Sequence, residues 1–325
     1  MESAIIDAWT PEQLAEACGR WGAPPAPRLI RAFENFVYAV DLPGQAAVLR
    51  ITHASHRDRE AIEAELAFVG FLASRGLPAC APIPSQGGRL VEAIGDHFHA
   101  VAFVRADGAR ADRRDPQVWN ADLFRAWGRT LAAFHRASRD YEPPSGSRRR
   151  QSWSDDDIVR TSYLPPEEAD LAAELRERTR QLAEWPRGND RFGLIHADVH
   201  SGNFHVDAGG LQVFDFDDSA YHWYAYDLTV ALLDLAAIEG PPDEVAVIAN
   251  RAFATLLAGY QGLAPLPPDL GASIRFFMRF RELQLLNVGY KKRDPQRANA
   301  GFETWFAGMR AQVRSGRRAI ALDCC

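Results

Sequence analysis

Before about residue 105 apolar positions fall largely in short runs with strand character, with a helical stripe after the hairpin; beyond it they recur mainly every three or four residues, the period of helices packed on one face. Thr10-Pro11-Glu12-Gln13 predicts a helix start, with Thr as cap, Pro in the first turn and Gln three residues on; the helix should end near Gly19 to Gly22. Pro24, Pro25 and Pro27 then impose an extended segment. Phe36–Val40 and Ala46–Ile51 flank a turn containing Pro43-Gly44 and read as an antiparallel hairpin. Arg50 lies near the end of its second strand and, taken alone, reads as an edge arginine facing water. Arg57–Arg75 is a helix whose buried stripe is Ile62, Leu66, Val69 and Leu72. At 100° per residue Glu65 lies within about 45° of the centre of that stripe, and Glu63 more than about 100° away. A carboxylate leaning inward is costly without a partner, and Arg50 on the neighbouring strand supplies one. Arg89–Ile94 and Phe98–Val104 are two further strands.

The pattern breaks at Arg105-Ala106-Asp107-Gly108. We therefore expect a small antiparallel sheet with one helix in residues 1–105, and a larger, mostly helical second part in residues 106–325. The second part begins with a helix over Asn120–Ser138 that turns Leu123, Trp127, Leu131 and Phe134 inward. A polar loop follows, Pro143–Asp157, whose Arg148-Arg149-Arg150 tract reads as a solvated surface. Helices are predicted over Glu167–Trp185, Tyr226–Ile238, Pro242–Gln261, Leu270–Tyr290 and Ala298–Ser315.

Composition adds mainly exclusions. A net charge of −6 over 325 residues gives no basic footprint for nucleic acid. Cys18, Cys80, Cys324 and Cys325 lack the spacing of a zinc site or a disulfide framework, and the terminal pair reads as a plain tail. The first residues lack the order of a signal peptide. The longest apolar run, Leu228–Ile238, is too short to span a membrane and carries Asp234. The simplest expectation is a soluble cytoplasmic protein.

The chemistry concentrates in Gly193–Asp218. His196-Ala197-Asp198 is followed by Asn203, a Gly209-Gly210 turn, and a strand ending in Asp215, Asp217 and Asp218. Phosphoryl transfer needs held phosphates, metal charge on them, and a group beside the accepting hydroxyl. Asp198 would accept or orient the hydroxyl proton, Asn203 would give an oxygen to Mg2+, and Asp215 would bridge metal and phosphates. Arg50, steadied by Glu65, would reach the phosphates.

HADVHSGN and the later VFDFDD closely resemble the catalytic and metal-binding motifs of the aminoglycoside phosphotransferase and choline kinase family, relatives of the protein kinases. Arg50 stands where that family has its phosphate-binding Lys, and Glu65 resembles that Lys's helix partner. Gly128–His135 resembles the helix before the catalytic loop. Tyr224–Leu228 resembles the segment whose Asp, here Asp227, has a structural role. The resemblance spans about residues 28–290, with the stress-response and spore-coat kinase branch the most similar. It implies an α+β, two-lobed, protein-kinase-like fold and a Mg2+-dependent kinase. The γ-phosphate of ATP or GTP would pass to a hydroxyl of a small molecule such as an aminoglycoside, an amino alcohol or a homoserine-like metabolite. Two other readings within the resemblance are a protein Ser/Thr kinase and a pseudokinase acting by interaction. The chain departs from the family pattern with Arg at position 50, with Ala197 where Gly is usual, and with Phe33-Glu34-Asn35 in place of a glycine-rich loop.

The remaining groups are weighed against ordinary packing. By the resemblance, His196 shapes the loop through hydrogen bonds, and His200 is also structural. His205 is a strand residue. Asp217 shares a side with Asp215 if the strand continues, which would bring it into the site. Tyr221–Tyr226 reads mainly as packing, with Trp223 or Tyr221 as candidates for a pocket wall. Trp153 with Asp155–Asp157 is a weaker candidate for attracting a cationic acceptor. A mixed His/Asp set of His196, Asp198, His200, Asp215 and Asp217 also fits a metallohydrolase, but that reading leaves Asn203 and the Arg50–Glu65 pair unexplained.

Overall fold

A computed structural model describes residues 3–293 and 300–316; the Cys324–Cys325 pair lies outside the described residues. The chain divides into two compact units. The first runs to Gly108 and also takes Tyr141–Arg150 and Gln212–Asp217; the second holds the rest. The first unit thus draws on two later segments that a single cut after residue 105 would assign to the second.

In the first unit, α1 (Ser3–Ala8) and α2 (Pro11–Trp21) precede the sheet. The expected capping box forms at Thr10 and Gln13, and α2 ends on Gly22 at φ 70°, a left-handed position suited to glycine. The strands are β1 (Arg28–Ala32), β2 (Phe36–Leu42) and β3 (Gln45–His53), followed by α3 (Arg59–Ser74), β4 (Pro82–Ile83), β5 (Glu92–Ile94) and β6 (Phe98–Val104). Their order is β1-β2-β3-β6-β4, with β5 also on β6. Trp21 packs with Phe36, Tyr38, Leu49 and Ile51 in one core. β3 is interior, so Arg50, opposite Val37 and Val101, is buried rather than at an edge. Ile62, Leu66, Val69 and Leu72 of α3 are buried as expected, as is Glu65. The strand expected from Arg89 begins only at Glu92. The Arg89 side chain instead turns onto buried Glu92, with Ser85 joining it. The Arg148–Arg150 tract is not simply solvated: Arg148 pairs with Asp58, and buried Arg150 donates to the carbonyls of Ala61 and Asp217. A charge tract in a polar loop gives no sign of these long-range partners.

The second unit contains β7 (Ala109–Arg110), α4 (Ala121–Ser138), α5 (Asp157–Arg160), α6 (Ala169–Ala183), β8 (Phe192–Ile195), β9 (Phe204–Asp207), β10 (Gly210–Val213), β11 (Ala220–Trp223), α7 (Tyr224–Leu235), α8 (Pro242–Gln261), α9 (Leu270–Lys292) and α10 (Ala300–Ser315). The chain passes to the first unit within β10. Leu123, Trp127, Leu131 and Phe134 of α4 are buried as expected. A Cβ on Gly128 would lie 1.9 Å from the Leu256 carbonyl oxygen, and one on Gly259 2.1 Å from that of Arg125, so α4 and α8 touch backbone to backbone at two glycines. Among the described residues no helix is long and apolar enough to cross a membrane.

Candidate functional site

The predicted residues form two groups, one in each unit. In the second unit, β8 ends at Ile195, paired with Ala220 of β11, and the next eight residues make a loop. Ala197 within it has φ 68°, the left-handed conformation, which accounts for glycine being usual there. Its N–H donates to Asp227 Oδ1 at 2.7 Å. The other Asp227 oxygen lies 2.9 Å from His135 Nε2, and His135 Nδ1 lies 2.9 Å from the Tyr260 hydroxyl. Seven residues along the same helix, two turns on, Asp234 Oδ2 accepts the Ser201 N–H at 2.8 Å while Oδ1 pairs with Arg113. Two carboxylates of α7 therefore hold the loop at both ends.

Between these anchors sits Asp198. Its N–H donates to His196 Nδ1 at 3.2 Å, and Gly202 N–H donates to His200 Nδ1 at 3.0 Å. Both histidines thus shape the loop, and spending ring nitrogens on backbone weakens the metallohydrolase reading. Asn203 Nδ2 donates to the Asp198 carbonyl at 3.0 Å and to Asp198 Oδ2 at 3.1 Å. Asn203 Oδ1 is buried with no hydrogen-bond donor. Arg281 of α9 donates to Asp198 Oδ1 at 2.5 Å. Burial by itself would raise the Asp198 carboxyl; the Arg281 guanidinium, with His200 and His196, overrides it and holds its pKa at about 2. His200 moves the opposite way: burial opposes its charge, but Asp198 raises it above the usual imidazole value.

In the first unit, Arg50 grips Glu65 with both nitrogens of its fork, at 2.8 and 2.7 Å. Burial opposes the guanidinium's charge; Glu65, then Asp217 and Asp215, more than restore it. Arg50 Nε is buried with no acceptor. Asp215 follows β10 and has φ 66°. Burial and the charge of Asp217 raise its carboxyl above the usual value, while Arg50 and Arg31, the latter 3.8 Å away, oppose the rise.

Asp217 does not continue a strand. The left-handed Asp215 turns the chain into a short 3-10 turn, Phe216–Asp218, in which Phe216 meets Phe68 of α3. The Asp217 carboxylate is buried and taken up by His56 at 2.6 Å, Arg57 at 3.2 Å and Asn35 at 3.4 Å. Glu34, His56 and Asp217 could each offer a metal ligand within 4.8 Å of one another. Arg57 already occupies the Asp217 carboxylate, which favours an ion-pair network there. Trp223 is not a pocket wall: it is buried against Trp153, Trp185, Phe192 and Phe277, and its ring N–H donates to the Pro186 carbonyl. Trp153 is buried too, and Asp157 is occupied by Tyr163 and Lys291, while Asp155 and Asp156 accept the backbone N–H groups of Ser152 and Ile158.

Sequence reasoning missed Arg281, Tyr226 as its partner, and the Arg113–Asp234 pair. Arg281, Gln284, Asn287 and Lys291 fall at helical spacing on α9, a polar stripe that reads as a solvated face until its partners are known.

Residues 27–266 match the family described as "Phosphotransferase enzyme family". Amicoumacin kinase of Bacillus subtilis (strain 168) is 28% identical over 317 residues, covering 95% of this chain and 94% of that protein. Among solved structures, an amicoumacin kinase in complex with AMP-PNP, Ca2+ and Ami aligns with a TM-score of 0.88 at 24% identity, over 99% of this chain and 98% of that one. A microcompartment-associated aminopropanol kinase aligns with a TM-score of 0.71 at 24% identity, over 94% and 98%. With a family match that covers most of its length, and with its fold shared with the solved kinases named above, the chain belongs to the phosphotransferase enzyme family and is a kinase.

Proposed function

We propose that the enzyme moves the γ-phosphoryl group of ATP (or GTP) to a hydroxyl of a small, amine-bearing acceptor, with Mg2+ as the working metal. Asp198 orients the acceptor hydroxyl or takes its proton. Arg50, fixed by Glu65, holds the nucleotide phosphates. Asn203 and Asp215 are assigned to the metal, which when bound would neutralise phosphate charge.

The observation that carries this reading is the orphaned Asn203 Oδ1. Its amide nitrogen is spent on Asp198, leaving a buried carbonyl-type oxygen without a donor, an arrangement that suits a hard cation. Asp215 fits the same group, because its carboxylate is disfavoured by burial and by Asp217, both of which a divalent cation offsets. The unpartnered Arg50 Nε likewise suits an anion. A lowered Asp198 pKa favours a group that orients a hydroxyl over a strong base.

Amicoumacin is the first acceptor to test, because amicoumacin kinase matches nearly the whole chain; amino alcohols and aminoglycosides follow. A nucleotide-consumption screen across hydroxyl acceptors, with Asp198→Ala as the blank, tests the reading. Acceptor-dependent turnover that Asp198→Ala abolishes supports it; turnover equal in Asp198→Ala and wild type removes the proposed role.

A further inference from the structure

Asp198 has two carboxylate oxygens, and different parts of the chain hold them. Oδ2 takes the Asn203 amide at 3.1 Å, with His200 Nε2 at 3.5 Å. Oδ1 takes the Arg281 guanidinium from α9, at 2.5 Å. The loop fixes only the first oxygen. Rotation of the carboxylate about its own axis is limited by the second.

Arg281 is itself constrained. Its other terminal nitrogen donates to the Tyr226 hydroxyl at 3.0 Å, and that hydroxyl donates to Gln284 Oε1 at 2.8 Å. Tyr226 is stacked on His222, with ring centroids 4.1 Å apart, and edged by Phe277 at 5.5 Å. Tyr226, His222 and Gln284 are all buried. Burial holds the phenol protonated, its pKa raised to about 12, and, with the neighbouring Arg281, pushes the His222 imidazole well below its usual value. Arg281 is therefore the cation this group presents to Asp198. Nearly two turns beyond Arg281 on α9, Asn287 accepts the Tyr163 N–H at 2.7 Å and donates to the Ile158 and Thr161 carbonyls, so the helix is fixed beyond the pair.

We infer that Arg281 is a positioning residue for Asp198, aimed by Tyr226 and Gln284, which sets the angle at which the carboxylate meets the acceptor hydroxyl. The inference rests on Asp198 being the acceptor-facing carboxylate. A planar fork that bonds Asp198 with one nitrogen and Tyr226 with the other fixes direction as well as distance. A small error in the placement of a reacting group costs rate far more than affinity.

The experiment uses the full-length enzyme with an acceptor found by the screen, and compares Arg281→Met, Arg281→Lys, Tyr226→Phe and the Arg281→Met/Tyr226→Phe double variant. The expected result is a fall in kcat of about 100-fold for Arg281→Met, with the nucleotide KM within about twofold of wild type. Arg281→Lys should recover part of the loss, because it keeps the charge and loses the fork. Tyr226→Phe should lower kcat by about tenfold in the wild-type background and have no further effect in Arg281→Met, since its action runs through Arg281. Arg281→Met retaining kcat within twofold, or Tyr226→Phe costing the same factor in both backgrounds, would overturn the inference. If Arg281→Met does not fold, as read by its thermal transition, Tyr226→Phe and Arg281→Lys carry the test: wild-type kcat in both overturns it, and a fall in both supports it. Failure of the underlying reading looks different, because Asp198→Ala would then turn over like wild type.

Discussion

Arg50 and Glu65 form a bidentate pair at 2.8 and 2.7 Å between an interior strand and the helix beside it, both side chains almost fully buried. Such a pair is weak support for stability, because desolvation of two charges offsets most of their attraction. Breaking it is another matter. Glu65→Ala would strand a guanidinium in the core, and we expect a loss of about 3–5 kcal/mol in denaturant unfolding. Replacing both residues with methionine should restore most of that stability while turnover stays abolished. Measuring unfolding and turnover on the same variants separates the two roles: a double variant that is both stable and active would show that Arg50 has no part in phosphate binding.

Ala197 is bent into the left-handed region at φ 68° so that its N–H can reach Asp227 at 2.7 Å. A Cβ there costs about 1 kcal/mol relative to glycine. Ala197→Gly should keep full turnover and stabilise the protein by up to about 1 kcal/mol, the gain being reduced by glycine's greater freedom when unfolded. Ala197→Val should destabilise and lower kcat, because a branched side chain resists this conformation. Thermal unfolding of the three proteins decides the matter; a valine variant as stable as alanine would mean that the loop can relax out of its bend.

These residues also mark how far the sequence could be read. Glu65 was legible because helical periodicity is local: the buried stripe of Ile62, Leu66, Val69 and Leu72 predicts which carboxylate leans inward. Asp198 and Asn203 were legible as one group because five residues of a single loop separate them, and Asn203 does donate to the Asp198 carboxylate at 3.1 Å. The condition attached to Asp217, a strand continuing past Asp215, fails because a period of two holds only while the backbone stays extended, and Asp215 leaves that region. Arg281 lies 83 residues from Asp198, and Arg150 lies 67 from the Asp217 carbonyl that it caps. Nothing local distinguishes an arginine that pairs across such distances from one that faces water.

Asp234 was noted first as the charge that interrupts an apolar helix, and its position now has a physical account. It accepts the Ser201 N–H at 2.8 Å and pairs with Arg113, which also reaches the Ser201 hydroxyl at 3.1 Å. Asp234→Ala leaves a buried N–H unsatisfied, at a cost of about 1–3 kcal/mol. It also frees the end of the loop that carries Asn203. We expect kcat to fall by about tenfold or more, with Asp234→Asn milder because its oxygen still accepts from Ser201. Steady-state kinetics on the two variants tests this, and equal kcat in Asp234→Ala and wild type would show that Asp227 alone holds the loop.

Glu168 gives the fold a predictable dependence on pH. It is fully buried just before α6, and α10 closes over it: Arg310 Nε donates at 2.6 Å, Tyr290 of α9 donates at 3.1 Å, and Arg314 lies 2.5 Å away. Burial alone would raise its carboxyl, but Arg310, Tyr290 and Arg314 together pull it below the ordinary value of 4.5. A carboxyl lowered in the folded state binds its proton more tightly when unfolded. Its contribution is therefore complete above pH 4.5 and is lost as pH falls through the lowered folded value. Wild type should exceed Glu168→Gln in unfolding free energy by about 2 kcal/mol at neutral pH. The difference should shrink steadily on acidification below 4.5. Urea unfolding of both proteins across that range measures it directly. A gap that stays constant with pH would mean that glutamine loses packing or hydrogen bonds only, and that the charge of Glu168 does not hold α10 in place.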